Sequence, residues 1–278
     1  FETHRPRLRS MAYRMLGSMP AAEDAVQDAW LRLSTVDSGA IQNIGGWLTT
    51  TVARECLHEL RGRRTRREEE LPERLPDPMV TRENHLDPEA DALLAEVVGL
   101  ALLVVLDTLT PAERLAFVLH DLFAFSFDEV AKVLDRSPDA VRQLASRARR
   151  RVADAHASES DTSPKKQREV VDAFFAAART GDLAALLEIL HPDVVLRADL
   201  SRGGITVIRG NDQVVKLAQS PEGAELLPVL VNGVAGALVT VHGEPFSLMA
   251  LTVVDGRVAS IEVIGEAERV ARLVAHLL

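Results

Sequence analysis

The chain has 278 residues, a formal net charge of -9, 47% apolar residues and one cysteine, Cys56. That length suits about two domains with substantial cores, and a single cysteine excludes an internal disulfide. The apolar run around GLALLVVL at 99–106 falls short of the roughly 18 residues that mark a membrane span. No charged-then-apolar leader precedes the first helical pattern, so a cytoplasmic protein is expected.

Net charge argues against a nucleic-acid partner, but screening makes the local distribution decide. Residues 54–67 carry six arginines against two glutamates, or +4. Residues 68–96 carry ten acids against two arginines, or -8, and residues 142–152 carry five arginines and no acid. Two basic islands flank an acidic bridge.

In chain order, Leu8, Met11, Ala12, Met15 and Leu16 form one helical face, and Ala25, Val26, Ala29, Trp30 and Leu33 the next. Gly17 to Pro20 is the turn between these two amphipathic helices. A second helix pair is expected from GGWLTTTVARECLHELRGRR. Trp47, Leu48, Val52, Cys56, Leu57 and Leu60 lie on one side of it, with Thr50, Arg54, Arg61 and Arg64 outside. Residues 67–90, with four prolines and many acids, show neither period and read as an extended linker.

A helical unit resumes near Asp91. Thr110, Pro111 and Glu113 make a capping-box start, and Ser126 and Ser137 stand where the next two helices need caps. Only Asp135, Arg136 and Ser137 separate SFDEVAKVL from SPDAVRQLASRARRRV, the spacing of a helix-turn-helix. SESDTSPKK at 158–166 is a second boundary. Beyond it come a helix pair, strands VVLRAD, VLVNGVAGALVTVHG, FSLMALTVV and RVASIEVIG, a hairpin at Asp255-Gly256, and a closing helix. The last third is α+β.

The second helix of a helix-turn-helix presents its N-terminal residues to base edges. Ser137 would cap that helix at the duplex. Asp139, Arg142, Gln143, Ser146 and Arg147 are its exposed positions, and arginine with guanine or glutamine with adenine discriminates between bases. Arg149, Arg150 and Arg151 lie further along and suit phosphates. The plainer alternative is a solvated arginine-rich helix end interacting with its own dipole. In the earlier basic element, Asn43, Trp47, Thr50, Arg54, Arg61, Arg63 and Arg64 suit a partly single-stranded nucleic acid. Trp47 reads first as a core aromatic.

AEDAVQDAWLRL, GGWLTTTVARECLHELRGRR and LTPAERLAFVLHDLFAFSFDEVAKVLDRSPDAVRQLASRARRRV, in that order, resemble the extracytoplasmic-function sigma factors of bacterial RNA polymerase. The resemblance implies sigma region 2 at 1–66, an acidic linker at 67–90 and region 4 at 91–157. It implies that the first module melts and reads the -10 promoter element and the second reads the -35 duplex. It further implies that Asp24, Gln27, Asp28 and Arg32 face core RNA polymerase, and that the linker runs through the polymerase cleft. LPERLPDPM at 71–79 is similar to the linker signature of sigma factors with a C-terminal extension.

After a linker at 158–166, residues 167–278 resemble a SnoaL-like domain of the NTF2-like cone fold. The expected class is therefore multidomain, two all-α sigma domains plus an α+β cone domain. Extensions of this type commonly carry an Asn-Pro-Asp-Lys motif. The nearest match is Asn211, Asp212 and Gln213, without the proline and lysine. His191, Asp193, Arg197, Asp199 and His242 are polar candidates for the cone, but no pair has a diagnostic spacing, and neither metal nor cofactor is expected. The expected partners are core polymerase, promoter DNA, and the chain itself, through contacts of the C-terminal domain with the sigma domains or linker. Two alternatives stay open: a ligand-responsive helix-turn-helix regulator, and a cone-fold enzyme fused to a DNA-binding module.

Overall fold

The structure, a computed structural model, describes residues 1–36, 41–67, 74–82, 99–154, 163–200, 204–218 and 220–277. The chain forms two compact units. Among the described residues the first comprises 1–67 and 105–154, and the second comprises 74–82, 99–104 and 163–277.

The first unit opens with α1 (Arg5–Leu16) and α2 (Met19–Thr35). Gly17, at φ 66°, ends α1 with its N–H on the Tyr13 carbonyl, a left-handed stop that glycine adopts at little cost. Leu8, Met11, Ala12 and Met15 are buried as their spacing demands, but Trp30, expected inward, is 44% exposed. Instead of a second helix pair there is one long helix, α3 (Ile44–Arg67). Asn43 caps it through a 2.9 Å bond from the Gly46 N–H. Thr49, Thr50 and Thr51 direct their hydroxyls to carbonyls four residues back, which satisfies these hydroxyls within the helix.

Then follow α4 (Leu100–Thr108), α5 (Pro111–Phe117), a π-helical turn at Val118–Leu122, α6 (Phe127–Leu134) and α7 (Pro138–Asp154). Thr110/Glu113 and Ser126/Glu129 both form complete capping boxes. Ser137 accepts the Ala140 N–H at 3.3 Å. Asp135, at φ 54°, ends α6 in a left-handed conformation, and the helix-turn-helix is in place.

The second unit is a seven-stranded sheet in the order β1-β4-β5-β6-β7-β2-β3. Its strands are β1 (Val80–Arg82), β2 (Leu190–Asp199), β3 (Ile205–Arg209), β4 (Ala224–Val231), β5 (Val234–Val241), β6 (Glu244–Val254) and β7 (Arg257–Ile264). Every pairing is antiparallel except β2 with β7. Asn232-Gly233, His242-Gly243 and Asp255-Gly256 all have positive φ at both positions, the mirrored turn that matches strand twist. The first of these splits what read as one strand into β4 and β5. Gly236 is obligatory in β5, because a Cβ there would lie 2.3 Å from the Met249 carbonyl oxygen.

One sheet face packs on α8 (Pro164–Thr180), α9 (Leu183–Ile189) and the single turn α10 (Asn211–Val214) through Val171, Phe174, Leu186, Leu251 and Ile261. The other packs on α11 (Ala267–Val274) through Leu248, Ile264, Val270 and Val274, joined by Leu75, Val80, Leu100 and Val104. The α+β class is as expected. The reading of 67–90 as extended linker needs a correction at 74–82: β1 pairs with β4 in the register Val80↔Val231, and Leu75 and Val80 are core residues. A three-residue edge strand is too short to show a period.

Candidate nucleic-acid interface

At roughly 100° per residue, α7 divides into four stripes. Val141, Leu144, Ala145, Ala148 and Val152 are buried. On one flank, Arg147 Nε donates to Glu113 Oε1 at 2.8 Å, and Arg151 donates to the Thr108 carbonyl at 3.2 Å and approaches Glu113 Oε2 at 3.5 Å. On the opposite flank Arg149 Nε donates to Asp121 Oδ1 at 2.5 Å. Arg142 lies there too, paired with Asp139 and 5.3 Å from the centre of the Phe127 ring, which stacks on His120 at 3.8 Å. The remaining stripe, Asp139, Gln143, Ser146 and Arg150, points outward and is exposed. Gln143, Ser146 and Arg150 have no side-chain partner among the described residues.

In the sequence Glu113 carries only the signature of a helix cap. Burial pushes its carboxyl up, but the hydrogen bonds from Arg147 and Thr110 outweigh that and hold it below the usual carboxylate range. The i, i+4 spacing of Arg147 and Arg151 was the available signal, and their shared partner, more than 30 residues away, was not.

On α3, Asn43 is exposed, Trp47 and Thr50 are half-buried, and Arg54 and Arg61 are exposed. Arg54 donates to the Lys132 carbonyl at 3.2 Å. Arg63 serves the fold: it donates to Glu59 at 2.9 Å and to the Leu16 carbonyl at the end of α1 at 2.8 Å. The Arg64 side chain lies outside the described residues. On α2, Asp24, Gln27, Asp28 and Arg32 share an exposed face, and Arg32 pairs with Glu55 of α3. Trp30 and Leu31 are exposed beside them, with the Phe1 ring 4.6 Å from Trp30. Burial pushes the Cys56 thiol up to about 12.

The cone candidates do not converge. His191 accepts the Asp193 N–H at 3.2 Å, and His242 is exposed at a hairpin tip. Arg197 and Asp199 instead join two separate clusters, with four residues the sequence reading missed: Glu262 and Ser260 about Arg197, and Arg269 and Asp77 about Asp199. Arg197 donates to Glu262 at 2.9 Å, Ser260 to Glu262 at 3.2 Å, and Arg269 to Asp199 at 2.6 Å and Asp77 at 2.7 Å. Arg269 also donates to the Leu75 carbonyl, and the Leu75 N–H donates to Asp199 at 3.1 Å. Burial pushes the Glu262 carboxyl up to about 7 despite Arg197. Arg197↔Glu262 and Asp199↔Ile264 are register partners, so both clusters lie on the α11 side of the sheet, and the one about Asp199 and Arg269 fastens Leu75 and Asp77. Asn211 is half-buried on α10, with Asp212 and Gln213 exposed. No group of three metal-binding side chains occurs among the described residues, and no described helix is long and apolar enough to cross a membrane.

The Sigma-70 region 2 family model matches residues 1–66, and the Sigma-70 region 4 model matches residues 99–152. The chain belongs to the extracytoplasmic-function sigma factors of RNA polymerase, which direct transcription initiation, and it is not an enzyme. It is 41% identical to the ECF RNA polymerase sigma factor SigJ of Mycobacterium tuberculosis, over 94% of this chain and 89% of the relative. The crystal structure of that SigJ matches with a TM-score of 0.74 and 38% identity, over 97% of this chain and 96% of that one. The probable sigma factor SigI of the same organism is 32% identical, over 100% of this chain and 96% of its own length.

Proposed function

We propose that this sigma factor is regulated from within, by a C-terminal domain that holds the segment between regions 2 and 4. The carrying observation is that residues 74–82 complete the second unit. They supply an edge strand, two core side chains and the backbone and carboxylate partners of Arg269 and Asp199. A segment so held is unavailable to the polymerase cleft until these contacts exchange.

In this reading residues 1–66 and 91–157 are the promoter-reading modules, 67–90 and 158–166 are connections, and 167–278 is the regulatory domain. It acts in the cytoplasm. Asp24, Gln27, Asp28 and Arg32 dock on core polymerase. Asn43, Trp47, Thr50, Arg54, Arg61 and Arg64 address the -10 element, and Arg63, expected among them, holds the end of α1 instead. The exposed stripe of α7 with Arg142 addresses the -35 duplex, and Arg149 and Arg147 support it from the flanks. Asn211, Asp212 and Gln213, the nearest match to the regulatory motif, are assigned to its role.

The test is run-off transcription by core polymerase with the full chain. Asp77→Asn, at a side chain 56% exposed, loosens the hold with little risk to the fold, and Arg269→Met releases it more fully. Both are expected to change transcript yield or polymerase affinity, in that order of size. Yields and affinities equal to the parent chain for both variants would overturn the regulatory reading.

A further inference from the structure

We infer that Glu113 is a positioning residue for base readout, setting the rotation of α7 about its own axis through Arg147 and Arg151. The inference rests on the proposal that α7 reads the -35 duplex. Two capping boxes of the same design stand in one unit and are wired differently. Glu129 is exposed and serves its own helix: its Oε2 accepts the Ser126 N–H at 2.8 Å and hydroxyl at 2.7 Å. Glu113 is 4% exposed. Its Oε2 accepts the Thr110 N–H at 3.1 Å and hydroxyl at 2.8 Å, and its Oε1 turns outward to Arg147 at 2.8 Å.

The carboxylate thus ties the start of α5 to the flank of α7. The polar tie adds to the apolar packing there, where Leu144 is the one large inward side chain beside the small Ala145 and Ala148. Arg149 with Asp121 tethers the other flank. Gln143, Ser146 and Arg150 lie between the two tethers, so a rotation of the helix moves all three across the groove together. Arg147, already paired to a buried carboxylate, is a strut in this arrangement and not a reader.

The experiment uses the full chain on core RNA polymerase and a promoter that it recovers from a library randomised at -35. The readout is the ratio of transcript from that promoter to transcript from one with a scrambled -35. Glu113→Gln is expected to lower the ratio about tenfold, the scale of one lost base-specific contact. The scrambled template is expected to be transcribed no less well. The salt dependence of DNA binding should steepen by about one phosphate equivalent, because an arginine is released. Glu129→Gln makes the same substitution in the comparable capping box and is expected to leave the ratio unchanged, whereas a merely stabilising role for Glu113 would depress both templates in parallel.

Arg147→Gln, at an exposed side chain with little folding risk, is expected to match Glu113→Gln, and the double variant to match either single. Additive losses would show Arg147 reading DNA independently and would overturn the inference, as would an unchanged ratio in Glu113→Gln. A parent chain that recovers no -35 preference would instead overturn the reading of α7 itself.

Discussion

Replacing Arg114 with methionine should loosen the first unit substantially. Arg114 is 2% exposed. Its Nε and Nη2 donate to the Arg14 carbonyl at 3.1 and 2.9 Å, and its Nη1 pairs with Asp107. Arg14 lies in the last turn of α1, where carbonyls have no donor in their own helix and the helix dipole favours a cation. The neighbouring ends are met by Gly17 on Tyr13 and Arg63 on Leu16, so Arg114 completes a cap assembled from distant segments.

Methionine approximates the volume but leaves the Arg14 carbonyl without its donor, costing about 1–3 kcal/mol. It also leaves Asp107, partly solvated, without its partner. Breaking a buried pair costs about 3–5 kcal/mol, so a loss of about 3 kcal/mol, or roughly 10 °C for a unit of this size, is expected. Trp30 and Trp47 are the chain's two tryptophans and both lie in the first unit, so urea denaturation followed by tryptophan emission isolates this unit. Arg114→Lys should fall between parent and methionine, since an ammonium lacks the planar fork. A loss below about 1 kcal/mol for Arg114→Met would refute the reasoning.

The second unit should respond to pH through Glu262, whose carboxyl rises in the fold from 4.5 to about 7 because burial outweighs Arg197 and Ser260. It binds its proton more tightly folded than unfolded, so this group's contribution falls as pH rises from about 4.5 to about 7, by at most about 3 kcal/mol. Urea unfolding by circular dichroism, restricted to the component without a tryptophan signal, should show the decline, and Arg197→Met with Glu262→Met should flatten it. An unchanged slope in that double variant would count against the assignment. Cys56, fully buried with its thiol pushed up to about 12, should resist a thiol reagent in the native chain and react once urea unfolds the first unit. Rapid native labelling would contradict its placement.

Much of the first unit was readable because its signals act within four residues. Thr110 with Glu113, Ser126 with Glu129 and the short turn at Asp135 specify helix starts and stops locally, and the buried stripe of α7 follows from its 3.6-residue period. Trp30 misled because period alone does not say which neighbour covers a face. Asn232-Gly233 carried the same hairpin chemistry as Asp255-Gly256 and went unread inside a continuous apolar run.

By itself the sequence determined the helix-turn-helix, the basic islands, the α+β character of the last third and the likeness to sigma factors, all of which rest on local spacing and composition. Only the tertiary structure decided what each charge does. Of the five arginines on α7, Arg147 and Arg151 turn to Glu113, Arg149 turns to Asp121, and Arg142 pairs with Asp139 beside Phe127. Arg150 alone faces outward with no partner among the described residues. Residues 74–82 became part of a sheet because β4, some 150 residues later, offers them an edge. A guanidinium or a short strand takes its role from the nearest carboxylate, carbonyl or strand edge in space, and many of those partners, such as Glu113 for Arg147 and β4 for β1, lie tens of residues or more away along the chain.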